Sequence, residues 1–133
     1  MQAAEVAALS DEALGRALAE ALEWGIEDAG DGGHRLLGGP LDAMYAEFLC
    51  SGGDGMLAVL EAMRERQPEW YPVVSAAYYL SDPTARHWHA QMNGEPTSSA
   101  YAATAPRAVA EAALIALTAR GGTVTTDVER GKR

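Results

Sequence analysis

The chain has 133 residues, of which 48% are hydrophobic and 22% are charged. This length suits one domain, because two domains would leave each half too small to bury sufficient surface. The lone cysteine, Cys50, excludes an intrachain disulfide, and no apolar run is long enough to span a bilayer. No basic stretch precedes an apolar run near Met1, so we expect no secretory signal. We therefore expect a soluble cytoplasmic protein without a membrane partner.

The formal net charge of −9 is unevenly distributed along the chain. Residues 1–54 hold eleven acids against Arg16 and Arg35, whereas residues 55–133 hold eight acids and eight bases. A chain without a basic footprint is not expected to bind nucleic acid directly. Its acidic half can attract a host protein with a basic surface, or it can serve solubility alone. The acids expected to contact a partner are Glu20, Glu23, Glu27, Asp28 and Asp31.

The composition also bears on the source of the chain. It contains one lysine, one asparagine and two isoleucines, while alanine, glycine and arginine are abundant. The abundant residues have GC-rich codons, so we expect a high-GC bacterium or one of its phages.

The first helix is predicted over residues 11–24. Ser10 is suited to the N-cap position, and Leu14, Leu18 and Leu22 recur at helical spacing. This pattern predicts a helix with one buried face.

The glycine-rich and acidic stretch that follows, residues 25–39, is predicted to be a loop that contains at most a short edge strand at residues 34–37. Pro40 is suited to the first turn of a second short helix. Leu41, Met44, Tyr45 and Phe48 continue at helical spacing after Pro40.

A third helix is predicted over residues 55–66. Asp54 is suited to cap it, and Leu57, Leu60 and Met63 are expected to turn toward the core. Pro68 marks its end.

After this helix the periodicity changes from helical to alternating. Residues 71–80 and 86–92 predict two strands joined by a turn, and residues 98–103 predict a third. Consecutive strands with short connections imply an antiparallel sheet covered by helices, which is an α+β layer fold.

The last predicted helix covers residues 105–120. Thr104 is suited to cap it, and its many alanines favour close packing against the sheet. Gly121 and Gly122 are expected to end it. The domain organisation that follows is one α+β domain over residues 1–122 and a polar tail over residues 123–133.

Several local features resemble one protein family. They are the Trp-Gly pair at 24–25, the helix start at 51–54, and the segment Ala-Tyr-Ala-Ala-Thr-Ala-Pro at 100–106 that leads into the alanine-rich helix at 107–117. Over residues 51–119 the chain is similar to the phage "ABA sandwich" domain, although it lacks the family's usual Pro-Pro-Tyr run. The resemblance implies α/β/α layering and a phage accessory role, and it carries no catalytic residues.

Two histidines form the sharpest local candidate for chemistry. On a strand, His87 and His89 would lie on one face and Trp88 on the other, and a histidine pair at this spacing can bind a metal ion. The alternative is that Trp88 belongs to the core and the histidines are half exposed. Residues that could complete a metal site are His34, Cys50 and Asp82.

Aromatic residues concentrate in the predicted sheet. Tyr78, Trp88 and Tyr101 could form a stacking surface for a small molecule such as a nucleotide signal, or they could be ordinary strand packing.

Three functions of different class remain open. The first is a phage-type accessory protein that uses its acidic half to inhibit a host defence protein or a nucleic-acid-binding protein, in the manner of anti-CRISPR proteins. The second is a small-molecule binder, and the third is a small metalloenzyme that uses His87 and His89. The first is the leading hypothesis, with no cofactor and no catalysis expected. An exposed sheet edge would also allow a homodimer.

Overall fold

The computed structural model describes residues 2–76, 88–95 and 97–126, with side chains as far as residue 119. It has an α+β fold with two antiparallel sheets. In chain order the elements are α1 (Ala3–Ala7), α2 (Asp11–Ala21), β1 (Gly25–Asp28), β2 (His34–Leu37), a 3₁₀ helix (Ala46–Leu49), α3 (Gly53–Arg66), β3 (Tyr71–Ala76), β4 (Trp88–Asn93), β5 (Ser98–Ala102) and α4 (Ala105–Thr126).

The larger sheet has the strand order β3-β4-β5 and is covered by α4 on one face. On β4 the buried residues are Ala90 and Met92, and on β5 Ser98, Ala100 and Ala102 are buried in strict alternation. The alanines of α4 allow it to lie close to these strands, as the sequence predicts. The Ser98 hydroxyl donates a 2.7 Å hydrogen bond to the carbonyl oxygen of residue 112 in α4.

The helix α4 also contacts α1, α2 and α3, so it is enclosed between the sheet and the other helices. Its residues from 108 to 114 are all buried. One hydrophobic cluster runs through these contacts, and its largest fully buried members are Leu14, Leu18, Leu36, Leu49, Met92 and Leu114. The opposite face of the sheet exposes Tyr71, Val73 and Tyr101. Among the described residues, no helix covers that face, which differs from the α/β/α layering that the family resemblance implies.

The sheet predictions are confirmed within the described residues. The third strand is observed at Ser98–Ala102, and the Thr104 hydroxyl accepts a hydrogen bond from the backbone of Arg107 at the start of α4. Residues 77–87, which include the rest of the first predicted strand and its turn, lie outside the described residues.

In the first half of the chain, β1 is the main departure from prediction. Residues 25–28 were expected to be loop, but they pair antiparallel with β2, so that Ile26 lies opposite Leu36. Only Ile26 of this short strand packs against the core. Four residues with one inward side chain are too few to show an alternating pattern. The short helix α1, which buries Val6, was also missed.

The helix predicted to start at Pro40 does not form. A turn stands there instead, because the Asp42 carboxylate accepts a 2.6 Å hydrogen bond from the backbone of Gly38 and Ala43 has a left-handed φ of 72°. A residue in that conformation cannot continue a right-handed helix. Only the 3₁₀ helix follows, from Ala46.

The predicted helix ends also differ from the structure in three places. The helix α2 ends at Ala21 rather than at residue 24, because Glu23 has a left-handed φ of 63°. Gly52, not Asp54, is the N-cap of α3, and Asp54 lies in the first turn, where its charge still favours the helix dipole. The helix α4 continues through Gly121 and Gly122 to Thr126, since glycine lowers helix propensity without blocking a helix as proline does. Residues 123–126 therefore belong to α4, and the rest of the predicted tail lies outside the described residues.

Two glycines allow α2 and α3 to pack with their backbones against that of the 3₁₀ helix. A Cβ atom on Gly15 of α2 would overlap the carbonyl oxygen of Ala46. On the other side, a Cβ atom on Gly55 of α3 would overlap the carbonyl oxygen of Phe48. Gly53, at the start of α3, has no atom within 4 Å of the place its Cβ would occupy.

We expect Gly15→Ala to lower the free energy of unfolding by about 1–3 kcal/mol, because a methyl group must be forced against a backbone carbonyl. Gly53→Ala is the matched control, and it should be neutral or raise stability by up to about 1 kcal/mol through helix propensity. Urea unfolding of both variants measures the difference. Equal stability of the two variants would contradict the close contact between α2 and the 3₁₀ helix.

Candidate protein-binding surface

The acidic surface begins where α2 ends. The backbone N–H of Glu23 donates to Glu20 at 3.0 Å, and that of Trp24 donates to Ala19 at 2.9 Å. This pair of bonds is a Schellman motif, whose turning residue normally is glycine. Here the turning residue is Glu23, with φ 63°. The turn leads directly into β1 and leaves Glu20 and Glu23 exposed.

The β1–β2 hairpin carries the next three acids, and all three are exposed. Asp28 Oδ1 accepts the backbone N–H of Gly30 at 2.8 Å, and Asp31 Oδ1 accepts that of Gly33 at 3.0 Å. The hydroxyl of Tyr45 donates to Asp31 Oδ2 at 2.7 Å, and this bond is the main reason that the pKa of Asp31 lies below its usual value. The carboxylates of Asp28 and Asp31 therefore stabilise the turn through hydrogen bonds, and they also give it negative charge.

Two arginines lie near this surface, Arg66 and Arg35, and Arg35 is the cross-strand partner of Glu27 in the hairpin. Glu23 lies 3.6 Å from Arg66, and both side chains are substantially exposed. Arg66 also donates to the carbonyl of Ala21 at 2.9 Å. Among the described side chains, Glu20 and Glu27 form no ion pair. The five acids named from the sequence thus lie on one turn and one adjoining hairpin, and their charge is largely directed to solvent.

A separate cleft of about 480 Å³ lies where α1, α2 and α4 meet. It contains a thiol, an arginine and two carboxylates, a set that could suggest catalysis. The Arg107 guanidinium, however, donates to Glu111 at 2.6 Å, to Asp11 at 2.7 Å and to the carbonyl of Leu9 at 2.6 Å. Burial lowers the pKa of Arg107, but its bonds to Glu111 and Asp11 outweigh burial and raise it. The charged groups of this cleft are therefore paired with one another, and they connect α2 to α4.

Cys50, the thiol in this cleft, is not set up as a nucleophile. It donates to the carbonyl of Asp11 at 3.1 Å and is 1% exposed. Burial, followed by the charge of Asp11, raises the pKa of the Cys50 thiol to about 12. A nucleophilic cysteine needs the opposite shift.

We expect Cys50 to resist a thiol reagent at pH 8 in the native protein. At that pH a thiol with this pKa is ionised in roughly one molecule in ten thousand, and the atom is also inaccessible. The test is the labelling rate with a chromogenic disulfide, with and without denaturant. Full labelling in denaturant and very slow labelling without it is the expected result. Rapid native labelling would show a reactive thiol and contradict this assignment.

Only part of the predicted metal site lies in the described residues. His89 stacks on Tyr101 with ring centroids 4.4 Å apart and an interplanar angle of 24°, while His87 and Asp82 lie outside. His34 is paired with Glu12 at 2.6 Å, so it and Cys50 already have other partners. In the part of the chain that the structure describes, no three histidine, cysteine, aspartate or glutamate residues are grouped to hold a metal ion. Metal binding by His87 and His89 stays a prediction.

Two of the predicted stacking residues, Trp88 and Tyr101, lie on opposite faces of the sheet. Trp88 pairs with Ala102 across the sheet, whereas Tyr101 pairs with His89. Adjacent residues of a strand point to opposite faces, so Trp88 lies on the α4 side and Tyr101 on the uncovered side. Tyr78 lies outside the described residues. The neighbour of Tyr101 that sequence reasoning missed is His89, which the alternation of the two strands could have indicated.

Comparisons with known proteins supply no relative. No protein-family model matches the chain, and no curated protein or solved structure matches it. Among the described residues, no helix is long and apolar enough to cross a membrane. The similarity to the phage "ABA sandwich" domain therefore stays a prediction.

Proposed function

We propose that this protein is a non-enzymatic binding module that engages a basic protein surface through the end of α2 and the β1–β2 hairpin. The observation that carries the proposal is that five exposed acids lie within residues 20–31, at the end of α2 and on the adjoining β1–β2 hairpin. The one ion pair that any of them forms among the described residues is that of Glu23 with Arg66.

The backbone prepares these acids for binding. The Schellman motif and the carboxylate-capped hairpin fix the positions of their Cα atoms, which reduces the entropy lost when a partner binds. An exposed ion pair such as Glu23–Arg66 contributes about 0–1 kcal/mol, so a basic partner can replace Arg66 at little cost. Complementary charge then raises the association rate and excludes acidic competitors.

The conformation of Glu23 supports the same proposal. A non-glycine residue in the left-handed region is strained by about 1–2 kcal/mol, and glycine would remove that strain. An acid at this position therefore costs local stability that glycine would not cost, and such strain is concentrated at functional sites in proteins.

The narrower form of the proposal concerns the partner. Small acidic proteins can compete with nucleic acid for a basic groove, so the target would be a nucleic-acid-binding or defence protein in a bacterial cytoplasm, and the chain would be a phage accessory factor. This form rests on analogy and on the family resemblance, not on contacts in the fold.

A second candidate is a small-molecule binder on the uncovered sheet face. It is favoured by the His89–Tyr101 stack, beside which a planar ring could lie. In that function substitution of Tyr101 would abolish binding, while the acids of the hairpin would be dispensable.

The test of the main proposal uses two variants with the same change in charge. The binding variant carries Glu20→Lys, Glu23→Lys and Glu27→Gln, and it spares Asp28 and Asp31 because their carboxylates shape the hairpin. The control carries Glu5→Lys, Glu47→Lys and Glu69→Gln, at exposed acids outside the surface. We expect a basic protein from a high-GC bacterial lysate to bind both the wild type and the control. After purification, this partner should bind the binding variant at least about tenfold more weakly than it binds the wild type.

Circular dichroism must first show that both variants keep the native helix content. A partner that binds all three proteins equally would show that these acids are not the contact surface. Equal loss in both variants would show that net charge alone, and no particular surface, governs the interaction.

A further inference from the structure

Beside the acidic turn, a cleft of about 440 Å³ separates α3 from the segment that carries Trp24 and Leu41. Its floor is apolar and includes Trp24, Leu41 and Leu57. Trp24 directly follows the strained Glu23, so the cleft adjoins the surface described above. A volume of this size is within the range of sites that bind several side chains or a small ligand.

Leu57 is the unexpected residue of this floor. The sequence predicts that it turns toward the core, yet it is 58% exposed, whereas Val59 and Met63 of the same helix are buried. At about 100° of rotation per residue, Leu57 lies about 200° around the helix from Val59. The fold therefore does not use this leucine in the core, and it lines the cleft together with the half-buried indole of Trp24.

The rim of the cleft is acidic. Asp54, Glu61 and Glu65 line it together with Leu57, and the spacing of the four residues places them on one stripe of α3. No lysine or arginine is among the described residues that line the cleft. Glu61 does pair with Arg64 at 3.1 Å, but both side chains are more than 60% exposed, and such pairs contribute little.

We propose that this cleft binds a basic amphipathic segment of the partner. The segment inserts an apolar side chain between Trp24 and Leu57, and it places lysine or arginine side chains against Asp54, Glu61 and Glu65. This inference rests on the proposed function and adds to it the chemical class of the segment recognised. A basic helix with an apolar face is a known kind of ligand for a groove of this type.

The charges decide between this occupant and others. An acidic segment or an anionic lipid surface would be repelled by the three rim carboxylates. A second copy of this chain, with a net charge of −9, is disfavoured for the same reason. A basic segment satisfies both the floor and the rim, and a cation near Trp24 gains a cation–π interaction as well.

The probe for the test is a synthetic amphipathic helical peptide of leucine and lysine. A scrambled peptide of the same composition, with no apolar face, is its control. Isothermal titration measures the binding of both to the wild type and to two variants, Leu57→Glu and Val73→Glu. Each variant replaces an exposed apolar side chain by an acid, the first in the cleft and the second on the uncovered face of β3, where Val73 is 42% exposed.

We expect the ordered peptide to bind the wild type and Val73→Glu alike, and the scrambled peptide to bind both more weakly. Leu57→Glu should weaken binding by about tenfold or more, because the apolar contact is lost, even though the variant adds an acid. If binding were only electrostatic, Leu57→Glu would bind as tightly as the wild type or more tightly. That result would overturn the inference, as would equal binding of the scrambled peptide or no binding of the ordered one.

The test separates the cleft from the acidic turn. The triple variant at Glu20, Glu23 and Glu27 leaves Leu57 and the rim intact, so it should keep most of its affinity for the peptide. If the peptide does not bind the cleft but the triple variant still loses affinity for a basic partner, the proposed function stands and this inference does not. If the peptide binds and the triple variant behaves as its control does, the acidic turn is excluded and the cleft remains.

Discussion

The fold depends on one largely buried guanidinium. Arg107, in the first turn of α4, donates to Glu111 one turn later, to Asp11 at the start of α2 and to backbone carbonyls at the end of α1 and just after it. Its side chain is 15% exposed and that of Glu111 is 4% exposed. The last carbonyls of a helix have no partners within it, and the planar guanidinium can satisfy several acceptors at once. Arg107 thus joins the acidic N-terminal segment to the helix that supports the sheet.

This clamp explains how a chain with so uneven a charge can remain compact. Asp11 and Glu111 are both paired with Arg107, and Glu12 is paired with His34, so these acids hold elements together. The acids of the Schellman turn and the hairpin face outward, where repulsion among them is reduced by solvent and salt. The division separates structural carboxylates from those that are available to a partner. It is also the physical basis for proposing that the surplus charge serves recognition.

The sequence predicted the long periodic elements and left the contacts between them open. Leucines at helical spacing indicate α2, and alternation indicates the three-stranded sheet, because these signals extend over many residues. The strand β1 has one inward side chain, and the left-handed conformation of Ala43 leaves no local signal. The acids of the candidate surface could be predicted, because charged side chains are usually exposed. The cleft could not be predicted. It requires knowing that Leu57 faces Trp24, and the Arg107 contacts likewise join residues about a hundred positions apart in the chain.

The most direct test of this account is the free energy of unfolding of Arg107→Met, measured in urea. Breaking a buried ion pair by removing one partner costs about 3–5 kcal/mol, and Arg107 is paired with Glu111, whose side chain is 4% exposed. We therefore predict a loss of that size, or failure to fold. Arg64→Met should lose less than about 1 kcal/mol, because Arg64 is 70% exposed in its pair with Glu61. A loss at Arg107 as small as that at Arg64 would contradict the view that this guanidinium holds the acidic segment to the rest of the fold.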